Sequence, residues 1–389
     1  MSAAAAPTSG RASRVAAAAL VGAGIFSARL GVANPLLLIA GVAAWRAWRA
    51  GELGGAMRAR PLVRPLAFFA AISVLGVPFS LDPLTSFGQL PRLLLFLTVP
   101  LAAALIDLVW WRRLVAGLAA MTAVLASWGL IQYLQGANDL ERRITGPLSN
   151  YMSYSGWLLV ACLVLWAELA LSPRGRWWFL LPSALVGSTA LVLSFTRNAW
   201  IGLVVGLLLL AAVWRRRLLL VYPVLAVLFW AVVPEAVLKR AFSTFDLQYH
   251  ANYDRLCMVI SGVQIVRDHP WVGVGLDQVK RIYPLYRRDD APRWRTPHLH
   301  NNLLQIAAER GLPALVAYLW LIAAFLTMAW RGLPRLAGGA RAALAATLVA
   351  FVASSVAGLF EYNFWDAEIQ YLTLILLGAG VGQIVEAPP

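Results

Sequence analysis

Apolar runs long enough to cross a bilayer recur along the whole chain, each closed by arginine, proline or glycine. A membrane-spanning helix needs about 20 mostly apolar residues. A soluble core could not hide the apolar surface of a 389-residue chain that is 60% hydrophobic and only 13% charged. We read twelve spans, near 14–30, 33–47, 63–80, 91–109, 114–135, 152–172, 177–195, 198–213, 217–235, 312–330, 341–360 and 367–385. The expected fold is an all-α integral membrane protein of about twelve transmembrane helices. Residues 1–235 hold helices 1–9, 236–311 form a large loop with amphipathic helices, and 312–389 hold helices 10–12 and the tail.

The arginines orient the bundle. The N-terminal tail and the segments after spans 2, 4, 6, 8 and 10 (RAWRAGELGGAMRARPLVR, WWRR, SPRGR, WRRR, WRGLPRLAGGAR) hold 17 of the 33 Lys and Arg residues and one acid, Glu52. Short basic loops stay cytoplasmic, so both termini are expected inside. The short loops on the other side are nearly free of basic residues, and one missed helix would scramble this alternation. The 236–311 loop falls outside; long loops cross largely regardless of charge.

The net charge of +15 thus has a topological cause rather than a nucleic-acid partner, because the arginines punctuate apolar runs instead of forming a basic domain. Cys162, in an apolar run, and Cys257, in a polar loop, form neither a disulfide framework nor a zinc signature. Arg11 and Arg14 before an Ala-rich stretch resemble a signal peptide; we expect a retained first helix. A transporter needs charged or broken helices at mid-membrane. The spans are nearly devoid of such groups, with Asp107 and Glu168 toward their cytoplasmic ends.

On the outer side, ERRITGPLSNYMSYS carries Arg142 and Arg143, and SFTRNAWIG carries Arg197 between spans 7 and 8. The 18 residues from Arg197 to Arg215 rise roughly 27 Å as helix, against about 30 Å of hydrocarbon, so Arg197 is expected to be recessed. No carboxylate lies within four residues of it. A recessed guanidinium offers a planar donor fork that fits phosphate; pairing with Glu361 or Asp366 is the structural alternative. Residues 251–270 read as an amphipathic helix ending before Pro270, and the glycines of WVGVGLDQV suit a tight turn. Asp289 and Asp290 are read as solvated rather than metal-binding. In TPHLHNNLLQIAAERGLPAL, Thr296 is the expected N-cap, with Pro297 at the first helical position and Gly311 past the end. On such a helix His298 and His300 lie about 200° apart, so they share a cavity only if the first turn is unwound. A neutral imidazole there can act as a general base.

RITGPLSNYM, SFTRNAWIG, DHPWVGVGLDQV and the pattern His300-Asn301, nine residues, Gly311 resemble the bacterial O-antigen ligase family, in a superfamily with O-antigen polymerases and protein O-oligosaccharyltransferases. The family's motif usually continues to a second glycine, where Ala314 stands here. The resemblance implies a GT-C-like glycosyltransferase of the inner membrane, with its site on the periplasmic face. It would move polysaccharide from undecaprenyl pyrophosphate to a lipid A-core sugar hydroxyl, inverting the anomeric centre without metal or other cofactor. Carried over, Arg197, Arg143 and Arg142 would hold the pyrophosphate and Arg197 would assist catalysis. His300 or His298 would activate the acceptor, and Asn301 and Arg255 would position substrate. Polymerase and protein O-glycosylation are the nearer alternatives, and transport of a lipid-linked glycan is the alternative from another class.

Overall fold

The computed structural model describes residues 10–53, 59–172, 177–220, 234–244, 246 and 248–385. Among them there is no strand, only one antiparallel bridge between Asn138 and Arg143. The α-helices are α1 (Arg11–Ile25), α2 (Leu30–Arg49), α3 (Arg60–Leu75), α4 (Pro83–Gly88), α5 (Thr98–Leu105), α6 (Leu108–Leu134), α7 (Tyr151–Leu171), α8 (Trp177–Leu193), α9 (Arg197–Trp214), α10 (Glu235–Phe242), α11 (His250–Asp268), α12 (Val279–Tyr286), α13 (Asn302–Gly332), α14 (Gly338–Ala357) and α15 (Ala367–Gly382). Seven helical stretches among the described residues are long and apolar enough to cross a membrane: those of α2, α4 to α5, α6, α7, α9, α13 and α14. Shorter apolar helices lie at Trp178–Leu193 and Ala367–Gly382.

Helices stand where the sequence places spans, with two qualifications. The ninth expected span, 217–235, lies outside the described residues over 221–233. The fourth, 91–109, is not one helix. Residues Leu90–Leu97 wind as a 3-10 segment and only Thr98–Leu105 is α-helical. Pro91 and Pro100 lack the amide donors that a continuous α-helix needs.

Small residues set the packing of the bundle. α14 is lined by Ala342, Ala343, Ala346, Ala350 and Ala353, all buried, and packs on both α7 and α9. A Cβ on Gly206 of α9 would meet Leu163 at 2.6 Å and Ala353 at 3.2 Å. Chain direction then sorts the charges. α2 ends at Arg49, α3 begins at Arg60, α9 ends before Arg215, and α14 begins near Arg341. The starts of α7, α9 and α15 and the end of α14 meet at the opposite end of the bundle.

At that end the long loop folds on a small core of its own, in which Met258 and Ile265 of α11 meet Val279 and Tyr283 of α12 and Leu299 and Ala308. α11 ends before Pro270 as read from the sequence, and a glycine turn follows. Val274 N–H donates to the Ala308 carbonyl (2.8 Å) and Gly275 N–H to the Glu309 carbonyl (3.0 Å). Gly311, at φ 80° and ψ 171°, breaks α13 into a nine-residue amphipathic piece and the span beyond. That conformation belongs to glycine, and a Cβ would sit 2.2 Å from the Trp271 carbonyl oxygen. The turn therefore clamps the loop against the first part of α13.

Candidate active site

The first turn expected at Thr296 is not helical. The Thr296 hydroxyl donates to the His298 carbonyl at 2.6 Å, and the Leu299 N–H is taken by Gln305 Oε1 at 2.8 Å. Asn301 is the N-cap instead, its side chain accepting from Leu304 N–H at 2.9 Å. With 296–300 unwound and His300 at φ 49°, the two histidines no longer diverge. Their ring centroids lie 4.3 Å apart.

The turn between α14 and α15 brings a carboxylate to both. His300 Nδ1 lies 2.8 Å from Glu361 Oε2, and His298 Nε2 lies 3.5 Å from Glu361 Oε1. Side-chain amides hold the two segments together. Asn301 Nδ2 donates to the Leu359 carbonyl (2.9 Å), Asn302 N–H to the Gly358 carbonyl (2.7 Å), and Asn302 Nδ2 to Asn363 Oδ1 (2.7 Å). Asn301, expected to touch substrate, has both ends of its carboxamide engaged by the fold.

Glu361 is buried, which raises its carboxyl. The hydrogen bond from His300, the charges of His300 and His298, and the Tyr362 N–H outweigh burial and hold it at about 2. For His298 burial wins: it lowers the imidazole to about 4 against the attraction of Glu361, with His300, Arg255 and Arg293 pushing the same way. His298 is therefore neutral at pH 7. Its folded value lies below the ordinary 6.5, so the unfolded chain takes up the proton first. Stability is full above about 6.5 and falls as pH drops toward 4. Thermal unfolding in detergent is expected to show this acid loss in the wild type and a flatter profile between pH 6.5 and 4 in His298→Gln.

Arginines gather beside this cluster. Arg197 opens α9 and is 5% exposed. Its fork donates to the Ser243 carbonyl (2.8 Å) and to Asn252 Oδ1 (2.5 Å), and it faces the Tyr249 ring at 5.5 Å. The alternative partners from the sequence are engaged elsewhere: Glu361 by the histidines, and Asp366 by the Ser153 hydroxyl at 2.5 Å. Arg240, which the sequence reading missed, shares Tyr249 and donates to its hydroxyl at 3.1 Å. Arg143 stacks on Tyr151 at 4.3 Å. Burial and the charges of Arg143 and Arg255 lower the affinity of Arg240 for its proton. Arg255 is lowered by burial too, and sits within electrostatic reach of Glu361, Tyr151 and Arg143. Among the described residues no carboxylate forms an ion pair with Arg143, Arg197, Arg240 or Arg255. Arg142, expected as an alternative to Arg143, is exposed; its backbone N–H donates to Asp139 Oδ1 and its carbonyl accepts from Asp139 N–H.

A cavity of about 210 Å³ opens on the histidines, and none of the four arginines lines it. Asn150, Tyr151 and Asn198 line one part, and His298, His300, Glu361 and Asp366 another. The sequence singled out the histidine pair, Arg197 and Arg143, but not Glu361 as the histidines' partner. His298, His300 and Glu361 present one ligand atom each within 4.8 Å of one another, a donor set that suits a divalent cation. Arg255 and Arg293 oppose a cation there. Asp290 is bound by Arg288 at 2.8 Å and by the Tyr253 hydroxyl.

The fold defines an all-α integral membrane protein with a polar site at one end of its bundle. Residues 182–319 match the family model described as O-antigen ligase, so this segment is similar to that family. The match supports glycan transfer of the ligase or polymerase type. It spans α8, α9, the loop helices and the histidine segment, and stops before Glu361. No curated protein matches the chain.

Proposed function

We propose that the protein is an O-antigen ligase of the inner membrane, working at the periplasmic face with both termini cytoplasmic. The donor is a polysaccharide on undecaprenyl pyrophosphate and the acceptor a sugar hydroxyl of lipid A-core. The observation that carries the reading is a set of four arginines without carboxylate partners beside a histidine held by a carboxylate. Buried like charges repel and lose hydration, so the arrangement calls for an anion.

In the reaction, the acceptor oxygen bonds to the anomeric carbon as the bond from that carbon to the phosphate oxygen breaks. The displacement is in line and inverts the centre. His300 takes the hydroxyl proton. With Nδ1–H donated to Glu361, its Nε2 is the free acceptor, the relation that orients histidine bases generally. The leaving pyrophosphate gathers charge as the bond breaks, and guanidinium groups stabilise that charge more in the transition state than before it. The donor is already activated, so no nucleotide is needed.

The test is purified protein with lipid-linked glycan and lipid A-core, with product read on gels. Transfer is expected at an undiminished rate in EDTA. Activity lost to chelator and restored by Mg²⁺ would overturn the metal-free assignment, and longer lipid-linked polymer without ligated core would make the protein a polymerase.

A further inference from the structure

At the end of the bundle opposite the histidines, α1 and α2 run antiparallel and enclose an open groove. α1 begins at Arg11 and α2 ends at Arg49, so Arg11 and Arg46 stand at about the same level. Arg11 and Val15 of α1 and Leu38, Ile39, Val42 and Arg46 of α2 line the groove, whose volume is about 660 Å³. Small side chains at Ala12 and Ala43 leave it open. Residues four apart share a helix face, and the lining follows that spacing: 11 and 15 on one helix, 38, 42 and 46 on the other.

The groove is charged at one end only. From Arg46 to Leu38 the helix falls roughly 12 Å, with guanidinium groups at the top and aliphatic side chains below. Val15, Leu38, Ile39 and Val42 are 44%, 71%, 47% and 46% exposed, and α2 is the least buried of the seven spanning stretches. In a bilayer such a face is covered by acyl chains, which are as apolar as leucine. Among the described residues no carboxylate forms an ion pair with Arg11 or Arg46. Glu52, the acid nearest Arg46 in sequence, accepts from Ser13 N–H at 3.0 Å. Arg49 rests on the Trp45 ring at 5.1 Å and does not line the groove.

We propose that this groove binds an anionic phospholipid of the leaflet opposite the histidine site. Arg11 and Arg46 hold the phosphate, and one acyl chain lies along Val15, Leu38, Ile39 and Val42. Guanidinium groups make charge-assisted, bidentate hydrogen bonds to phosphate oxygens. Phosphatidylethanolamine brings an ammonium group that the two cations repel, whereas phosphatidylglycerol brings none, so charge sets the preference. A second copy of the chain on this face would bring its own arginines to the same level, where like charges repel. Because one arginine comes from each helix, a bound lipid ties α1 to α2 and stabilises the pair.

The test is native mass spectrometry of the delipidated full chain in detergent. It is titrated separately with dioleoyl phosphatidylglycerol, dioleoyl phosphatidylethanolamine and soluble glycerol 3-phosphate. Phosphatidylglycerol is expected to bind about tenfold more tightly than phosphatidylethanolamine, and glycerol 3-phosphate at least about tenfold more weakly than phosphatidylglycerol, since it has no chain for the groove. The preference between the lipids should fall to within about twofold in the double variant Arg11→Ala/Arg46→Ala and persist in Arg49→Ala. Val42→Trp fills the groove with both arginines in place, and should weaken both lipids by about tenfold; it carries the test if the double variant does not fold. Equal affinity for the two lipids in the wild type, a preference untouched by the double variant, or unchanged affinity in Val42→Trp would overturn the site. So would a preference lost equally in Arg49→Ala, glycerol 3-phosphate binding as tightly as the lipid, or dimers in place of bound lipid.

Discussion

Arg255→Ala is expected to lower kcat/KM for transfer by about 10²–10³, the range seen when one preorganised donor to developing charge is removed, with the fold intact. Arg255 is the clean probe because no hydrogen bond or ion pair to it is found among the described residues, so its loss breaks no such bond in the resting protein. Its affinity for a proton is lowered by burial, which outweighs the attraction of Glu361, Tyr151 and Asp254 and is reinforced by Arg143; removing it ends that burial cost. A stabilised protein with crippled transfer is thus the signature of a group placed for an absent anion. Arg197→Ala should also abolish transfer, but less cleanly, since its fork holds Ser243 and Asn252 against the start of α9. Thermal stability separates the two: unchanged or raised in Arg255→Ala, lowered in Arg197→Ala. An Arg255→Ala protein with full activity would remove this arginine from the site.

His300→Ala is expected to cost about 10²–10⁴ in kcat, the usual worth of a positioned general base. Glu361→Gln should cost a comparable factor, because the carboxylate fixes the imidazole with Nε2 free and stabilises the imidazolium that forms. The two losses should not multiply in the double variant, since both remove one function. If His298→Gln abolishes transfer while His300→Ala does not, the base is His298. A multiplicative double loss would mean that Glu361 acts apart from His300.

The bundle was legible because its signals are local. A span declares itself within its own residues, and the arginines after every second span repeat the same message. Arg197 was legible for a related reason, an isolated charge close to a full membrane crossing from Arg215. The site's other half was not. Glu361 lies 61 positions from His300, in an outer turn whose acids read equally well as partners for Arg197. Arg240 sits in an ordinary amphipathic helix, five residues after Glu235 and six before Asp246, and looks solvated until Tyr249 and Arg197 are seen beside it. The start of α13 was misplaced because Thr296-Pro297 is a sound capping signal that Asn301 outcompeted. Tertiary bonds decided it: Gln305 takes the Leu299 N–H, and Asn301 and Asn302 reach the 358–363 turn. Unwinding those five residues is what lets two histidines spaced as they are face one carboxylate.

The most direct measurement is the affinity of the nanodisc-embedded protein for undecaprenyl pyrophosphate against undecaprenol, the same lipid without charge. Anion-starved arginines beside the histidine cluster should favour the diphosphate by about 100-fold or more, about 2.7 kcal/mol, and most of that preference should vanish in Arg255→Ala. Equal affinity for the charged and uncharged lipid would contradict the account at its base.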